Sequence, residues 1–155
     1  MQDLLALTSS YWQPKVGVLG DVVTELEDIH QCILTILSTP RGSDPHRPDF
    51  AVNLIDWVDK PINSVRAVMV QEVLRAIARW EARATVKRVT VEVGTDGASL
   101  TLSVYWVPSS LENDGGQLLA SSFTVPTPVT LVTSPFVAIP FSSTLTLAEV
   151  DGGVL

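Results

Sequence analysis

The side chains of this chain best suited to chemistry are few. One cysteine, Cys32, and two histidines, His30 and His46, are its soft or basic groups. A metal centre needs such groups to converge. His30 and Cys32 stand two apart on a stretch that reads as helix, where positions i and i+2 do not face each other. His46 stands in a proline-rich loop, so no zinc-type spacing arises. The expectation is a surface His30 and a buried, small Cys32, and a lone cysteine excludes an internal disulfide. No G-x-S-x-G, H-E-x-x-H or Walker sequence occurs. Glu25, Glu27 and Asp28 offer carboxylates, but cleavage of a glycosidic bond takes two across a cleft. These three fall in the first half of a helix, where acids favour the positive end of its dipole and sit in solvent. No catalytic residue, cofactor-binding residue or metal ligand is assigned.

The arginines carry more information. Arg75, Arg79 and Arg83 are spaced by four and share one face of a helix that runs through them. One reading is a solvated face pairing with Glu72 and Glu81. The other is a docking face for an acidic or carbonyl-rich partner, since the planar guanidinium fork suits such contacts.

The elements that position these residues follow from periodicity. A short strand is expected around Val16 to Leu19, ended by Gly20. A first helix starts at Asp21 as N-cap, with Val22, Leu26, Ile29, Ile33, Ile36 and Leu37 at helical spacing. Thr39-Pro40 stops it. A stiff loop with three prolines follows to Phe50. A short helix is expected from Asp49 to about Val58, with Phe50, Leu54, Ile55 and Val58 on one side. A second long helix runs from Asn63 or Ser64 to about Arg83, with Val65, Val68, Met69, Val73, Ile77 and Trp80 as its stripe. The period then changes to two. Val89, Val91 and Val93, then Leu100, Leu102, Val104 and Trp106, alternate with polar residues around a turn at Thr95-Asp96-Gly97, which reads as an antiparallel hairpin. Asn113-Asp114-Gly115-Gly116 marks another turn.

The fold expected is α+β: two long helices and a short one packed on a small antiparallel sheet, with an extended C-terminal arm. Residues 1–20 form an N-terminal segment with an edge strand, 21–112 the core, and 113–155 the arm. The arm holds no charged residue between Asp114 and Glu149 and carries Pro126, Pro128, Pro135 and Pro140. Prolines forbid a central strand, so one or two edge strands are expected there.

Composition narrows the function. The chain has 155 residues, is 46% hydrophobic and carries a net charge of -7, which suits one domain with a real core. Residues 1–88 hold 11 acids and all 10 bases, while residues 89–155 hold 6 acids and no base. Nucleic-acid binders need cations to displace counterions from phosphates, so no nucleic-acid partner is expected. Met1-Gln2-Asp3 has no basic region before an apolar run, so no secretory leader is expected, and no apolar run reaches the roughly 20 residues of a membrane span. A soluble, cytoplasmically made protein with no membrane partner and no small-molecule substrate is expected.

Two segments resemble the gpW/gp25 family of baseplate wedge proteins from contractile-tailed phages, with their type VI secretion relatives. That family carries Thr-Pro-x-Gly after its first helix, then Pro-x-Phe-Gly; here stand Thr39-Pro40-Arg41-Gly42 and Arg47-Pro48-Asp49-Phe50-Ala51. The family ends its main helix in Glu-Pro-Arg before a β-hairpin; here Arg79-Trp80 precede Glu81-Ala82-Arg83. Ala51 replaces the usual glycine, Ala82 replaces the proline and is expected to let the helix run on slightly, and Asp44 stands where a basic residue is common. The likeness covers roughly residues 20–107.

The resemblance implies a non-enzymatic structural subunit of the virion tail baseplate, assembled in the host cytoplasm. It would link the helical wedge core bundle to the first sheath ring and touch tail hub or tube proteins. Pro40, Arg41, Gly42, Arg47, Pro48, Phe50, Arg79, Glu81 and Arg83 are the partner-binding residues it implies. Rival readings are a peptidoglycan hydrolase, because some members are labelled lysozymes, and a type VI secretion baseplate subunit.

Overall fold

A computed structural model describes residues 9–57, 60–94, 99–111, 117–125 and 146–147. The chain opens with a two-stranded antiparallel ribbon, β1 (Trp12–Pro14) and β2 (Val22–Thr24). The strand expected at Val16 to Leu19 is instead the loop joining them, and Val16, Val18 and Leu19 are exposed. Helix α1 spans Glu25–Ser38. Asp21 does not cap it. Its carboxylate accepts the Val22 amide at 3.0 Å, and Thr24 holds the N-cap position. The β-branched pair Val22-Val23 is buried as strand, which delays the helix by one turn.

The buried face of α1 is Ile29, Ile33, Leu34, Ile36 and Leu37, while Leu26 of the expected stripe is exposed. Helix α2 (Ile62–Trp80) buries Val65, Met69, Val73, Ala76 and Ile77, and Val68 faces out. Between the helices, the expected short helix is reduced to a single 3-10 turn at Ile55–Trp57. Ala51 takes φ +70°, which breaks a helical path, and the chain sends Val52 and Leu54 straight into the core. Val58 lies outside the described residues.

Strand β3 spans Ala84–Val93 and β4 Leu100–Pro108. The hairpin therefore begins five residues before Val89, where the expected alternation started. The register explains why the early part was illegible. Val86 faces Trp106 and Val89 faces Val104, so three residues of β3 oppose two steps of β4. The irregularity between Val86 and Arg88 switches the core-facing phase from even to odd numbers. In β4 the alternation holds: Leu100, Leu102, Val104 and Trp106 are all buried. The turns read at 95–97 and 113–116 lie outside the described residues, as do the four prolines of the arm.

Strand β5 (Leu119–Val125) pairs antiparallel with β4, and β6 (Thr146–Leu147) pairs with β5. Among the described residues the sheet order is β3-β4-β5-β6, so β5 is interior and β6 stands at the edge. The expectation of edge strands in this stretch thus holds for β6 and fails for β5, whose seven residues precede the first proline. Leu119, Ser121 and Val125 of β5 are buried. Helix α1 packs over β5 and α2 over β3, giving a two-layer α+β fold with one core between the layers. No helix among the described residues is long and apolar enough to cross a membrane.

Candidate partner-binding site

Helix α2 ends at Trp80, not at Arg83. The Glu81 amide still donates to Ile77 O at 2.8 Å, but Glu81 itself has φ −133° and ψ 78°. The Ala84 amide donates back to Glu81 O at 3.2 Å, which closes a turn over residues 81–83 and launches β3. Ala82 therefore does not extend the helix: Ala84 is buried beneath the sheet edge and the strand ladder claims the chain. The end of β4 fixes the turn. The Ser109 amide donates to Arg83 O at 2.8 Å and its hydroxyl to Ala82 O at 3.0 Å.

Leaving the helix carries Arg83 off the expected arginine face and aims it at α1. Its Nη1 donates to Asp28 Oδ2 at 2.6 Å. Its Nε and Nη2 donate to the two Glu81 oxygens, each at 2.8 Å. The Arg83 amide adds a bond to Glu81 Oε1 at 3.2 Å. Asp28 and Glu81 are buried, and the Arg83 side chain keeps 32% of its surface in water. Burial works to raise the Glu81 carboxyl, but the hydrogen bonds and charge of Arg83 outweigh it and hold Glu81 below its usual value. The bonds to Glu81 in turn raise the Arg83 pKa.

Cys32 completes the cluster, receiving Gln13 Nε2 at 3.4 Å and Arg83 Nη2 at 3.6 Å. Burial first, then the carboxylates of Glu81 and Asp28, push its thiol up to about 11. It is a thiol at neutral pH and no nucleophile. Gln13 also donates to Asp28 O at 2.9 Å, and Gln31 clasps the ribbon loop through Pro14 O and the Val16 amide, each at 2.9 Å. The N-terminal ribbon is thereby fastened over the same corner, with the Tyr11 ring 5.3 Å from the Arg83 guanidinium.

The other expected residues form two further groups. Pro40, Arg41 and Gly42 make a tight turn, with the Ser43 amide bonded to Pro40 O at 3.2 Å and Gly42 at φ +89°. Arg41 reaches back to Ala51 O at 3.3 and 3.4 Å and pairs with Glu72 at 3.3 Å. It thus holds the one position in this loop where alanine sits at the positive φ that a glycine would take freely. At the end of α2, the rings of Phe50 and Trp80 meet edge to face at 5.2 Å. Arg47 lies over Phe50 at 4.5 Å and Arg79 over Trp80 at 4.8 Å. Arg79 also pairs with Asp49. Pro48 is exposed beside this group. So Arg47, Phe50 and Arg79 come together, Arg41 joins Glu72, and Glu81 and Arg83 join Asp28.

Sequence reasoning missed Asp28 and Cys32 as partners of Arg83, and Gln13 as a partner of both. Asp28 was expected in solvent and is buried. The available signal was the spacing of Asp28 and Cys32, four apart beside Ile29 and Ile33 on the inward side of α1. His30, expected at the surface, is buried under β5. Its Nδ1 lies 2.7 Å from Ser121 Oγ, which also receives Trp106 Nε1 at 2.9 Å. Serine and histidine meet here in the core, both buried. Among the described residues, no group of three or more histidine, cysteine or acidic side chains is placed to hold a metal.

Beside Arg83 the surface opens into a groove of about 750 Å³. Tyr11, Leu26, Ile29, Pro108 and Leu111 supply its apolar lining, and Glu25 and Arg83 its charged groups.

Known proteins share this sequence and fold. Residues 23–106 match the family of the baseplate wedge protein gp25. Over 108 residues the chain is 34% identical to baseplate protein W of Escherichia phage P2, covering 69% of this chain and 88% of that one. A crystal structure of a proposed tail lysozyme from Geobacter sulfurreducens is similar, with a TM-score of 0.56 and 26% identity, covering 65% of this chain and 89% of that one. The class is that of phage tail structural proteins. The chain belongs to the gpW/gp25 family of baseplate wedge proteins.

Proposed function

We propose that the chain is a scaffold subunit of a contractile-tail baseplate that joins the helical wedge core to the first sheath ring. The wedge core docks at the corner made by Glu81 and Arg83, braced by the loop from Pro40 to Phe50. The sheet, whose described strands end in β3 on one side and β6 on the other, takes a strand from a neighbouring sheath subunit. Tail hub or tube proteins are further neighbours. The observation that carries this reading is the groove beside Arg83, where Leu26 and Leu111 are exposed next to a charge cluster held rigid by six donor–acceptor contacts of Arg83. Exposed apolar surface rimmed by polar groups marks protein contact sites.

The corner cannot work as two free charged side chains. Both Glu81 oxygens are occupied by Arg83, so a partner meets the exposed flank of Arg83 and the apolar wall beside it. The test is co-expression with the large proteins encoded beside this chain, followed by size-exclusion chromatography and mass analysis. A stable complex with a helical wedge partner is expected, lost on Leu111→Asp while the chain stays folded. A complex that ignores Leu111→Asp places docking elsewhere. The same neighbours distinguish a phage tail from a type VI machine. A zymogram addresses hydrolysis: the groove is lined by one carboxylate, Glu25, where glycosidic cleavage uses two, and no clearing is expected.

A further inference from the structure

We infer that the partner segment received by the Arg83 groove is amphipathic and cationic, with an apolar stripe flanked by lysine or arginine. This rests on the docking reading above and names the chemistry of its partner. An exposed arginine on a helix face suggests an acidic partner, but the surroundings of Arg83 reverse that expectation. Its guanidinium faces two buried carboxylates, Asp28 and Glu81, at 2.6 and 2.8 Å. Glu25 stands on the groove wall with no cation but Arg83 among the lining residues. On the groove lining Glu25 and Arg83 balance, and the two buried carboxylates behind Arg83 leave the corner as a whole at about minus two.

The Tyr11 ring also lies against the cation, its centroid 5.3 Å from the guanidinium carbon, and takes up part of its surface. An acidic segment entering the groove would meet net negative charge in a partly desolvated site, where like charges repel strongly. A cationic one would pair with Glu25 and complete the neutralisation that Arg83 leaves unfinished. The apolar wall of Leu26, Ile29 and Leu111 supplies the other half of recognition, and suits the stripe of an amphipathic helix.

The test uses the full chain and two synthetic 14-residue helical peptides, read by fluorescence anisotropy. Both carry the same leucine stripe; one has lysine and the other glutamate on its polar face. The lysine peptide is expected to bind at least about tenfold tighter at low salt, with the gap shrinking as salt rises. Glu25→Gln is expected to weaken it about threefold and Leu111→Ser about tenfold, the sizes set by one rim charge and one apolar anchor. Glu92→Gln, at the far end of β3, is expected to change nothing. Equal or tighter binding of the glutamate peptide, binding of neither, or an equal effect of Glu92→Gln overturns the inference. The co-expressed complex separates the two levels. If the complex forms and is lost on Leu111→Asp but the lysine preference is absent, docking stands and the cationic partner is wrong. If no groove variant touches the complex, docking and its partner fall together.

Discussion

Arg83 and Asp28 are 55 residues apart in the chain, and their side chains meet at 2.6 Å between the end of α2 and the first turns of α1. This contact makes Arg83 a structural staple before it is anything else. Removing the guanidinium leaves Asp28 and Glu81 buried as neighbouring carboxylates without a counter-charge. Arg83→Ala is expected to lower stability by about 3 kcal/mol, the low end for a broken buried pair because the guanidinium is partly solvated. Urea unfolding checks this. Arg83→Lys is expected to recover only part, since one ammonium cannot match the fork that serves both residues. An unchanged midpoint in Arg83→Ala would show that the cluster is not stabilising.

His30 makes stability depend on pH. The indole of Trp106 can only donate, so the Ser121 hydroxyl accepts from it, and the bond between that hydroxyl and His30 Nδ1 runs in the direction set by the ring's tautomer. The other ring nitrogen, Nε2, is buried with no partner among the described residues. Burial lowers the His30 pKa, with Glu27 opposing. A base whose folded pKa lies below its unfolded value of about 6.5 takes up protons more readily when unfolded. Its contribution is complete above that pH and is lost as pH falls toward the folded value. The thermal midpoint is expected to drop between pH 7.5 and 5.5, and His30→Leu is expected to flatten that slope. An identical slope in the variant would assign the effect to other groups.

The loop turn at Gly42 is a backbone requirement. A Cβ there would meet no atom within 4 Å, so the cost of substitution is conformational. At φ +89° an alanine is strained, and Gly42→Ala is expected to cost about 1 kcal/mol. A denaturation midpoint that does not move would mean that the loop relaxes into another turn.

Cys32 is expected to be slow. With its pKa pushed up to about 11, its thiolate fraction at pH 8 is more than about a hundredfold below that of a free thiol. Labelling by iodoacetamide should lag a small thiol by at least that factor in the folded chain and recover in urea. Rapid labelling of the folded protein would place the thiol outside the Arg83 cluster.

Much of this architecture was readable from pattern. The helix from Ile62, the alternation of Leu100 to Trp106 and the stop at Thr39-Pro40 follow from local periodicity and proline stereochemistry. Legibility failed where a distant contact decided. The bulge near Lys87 shifted the phase of β3, so its first half did not alternate. Asp28 and His30 look like surface residues of a helix start; only the approach of Arg83 and Ser121 from other elements makes them interior. Arg83 looked like the last rung of an arginine ladder because nothing local says that the helix stops at Trp80. The fold class rests on periods that neighbours in sequence share, while the corner rests on pairings separated by tens of residues.

The measurement that bears most directly on the docking role is site-specific photo-crosslinking in the co-expressed complex. A benzophenone side chain is placed at Leu111 on the groove wall, and in a second chain at Val93, an exposed position at the far end of β3. Crosslinks from position 111 to a helical segment of the wedge partner, absent from position 93, are expected. A wedge crosslink from position 93 and none from position 111 would contradict docking at the Arg83 corner.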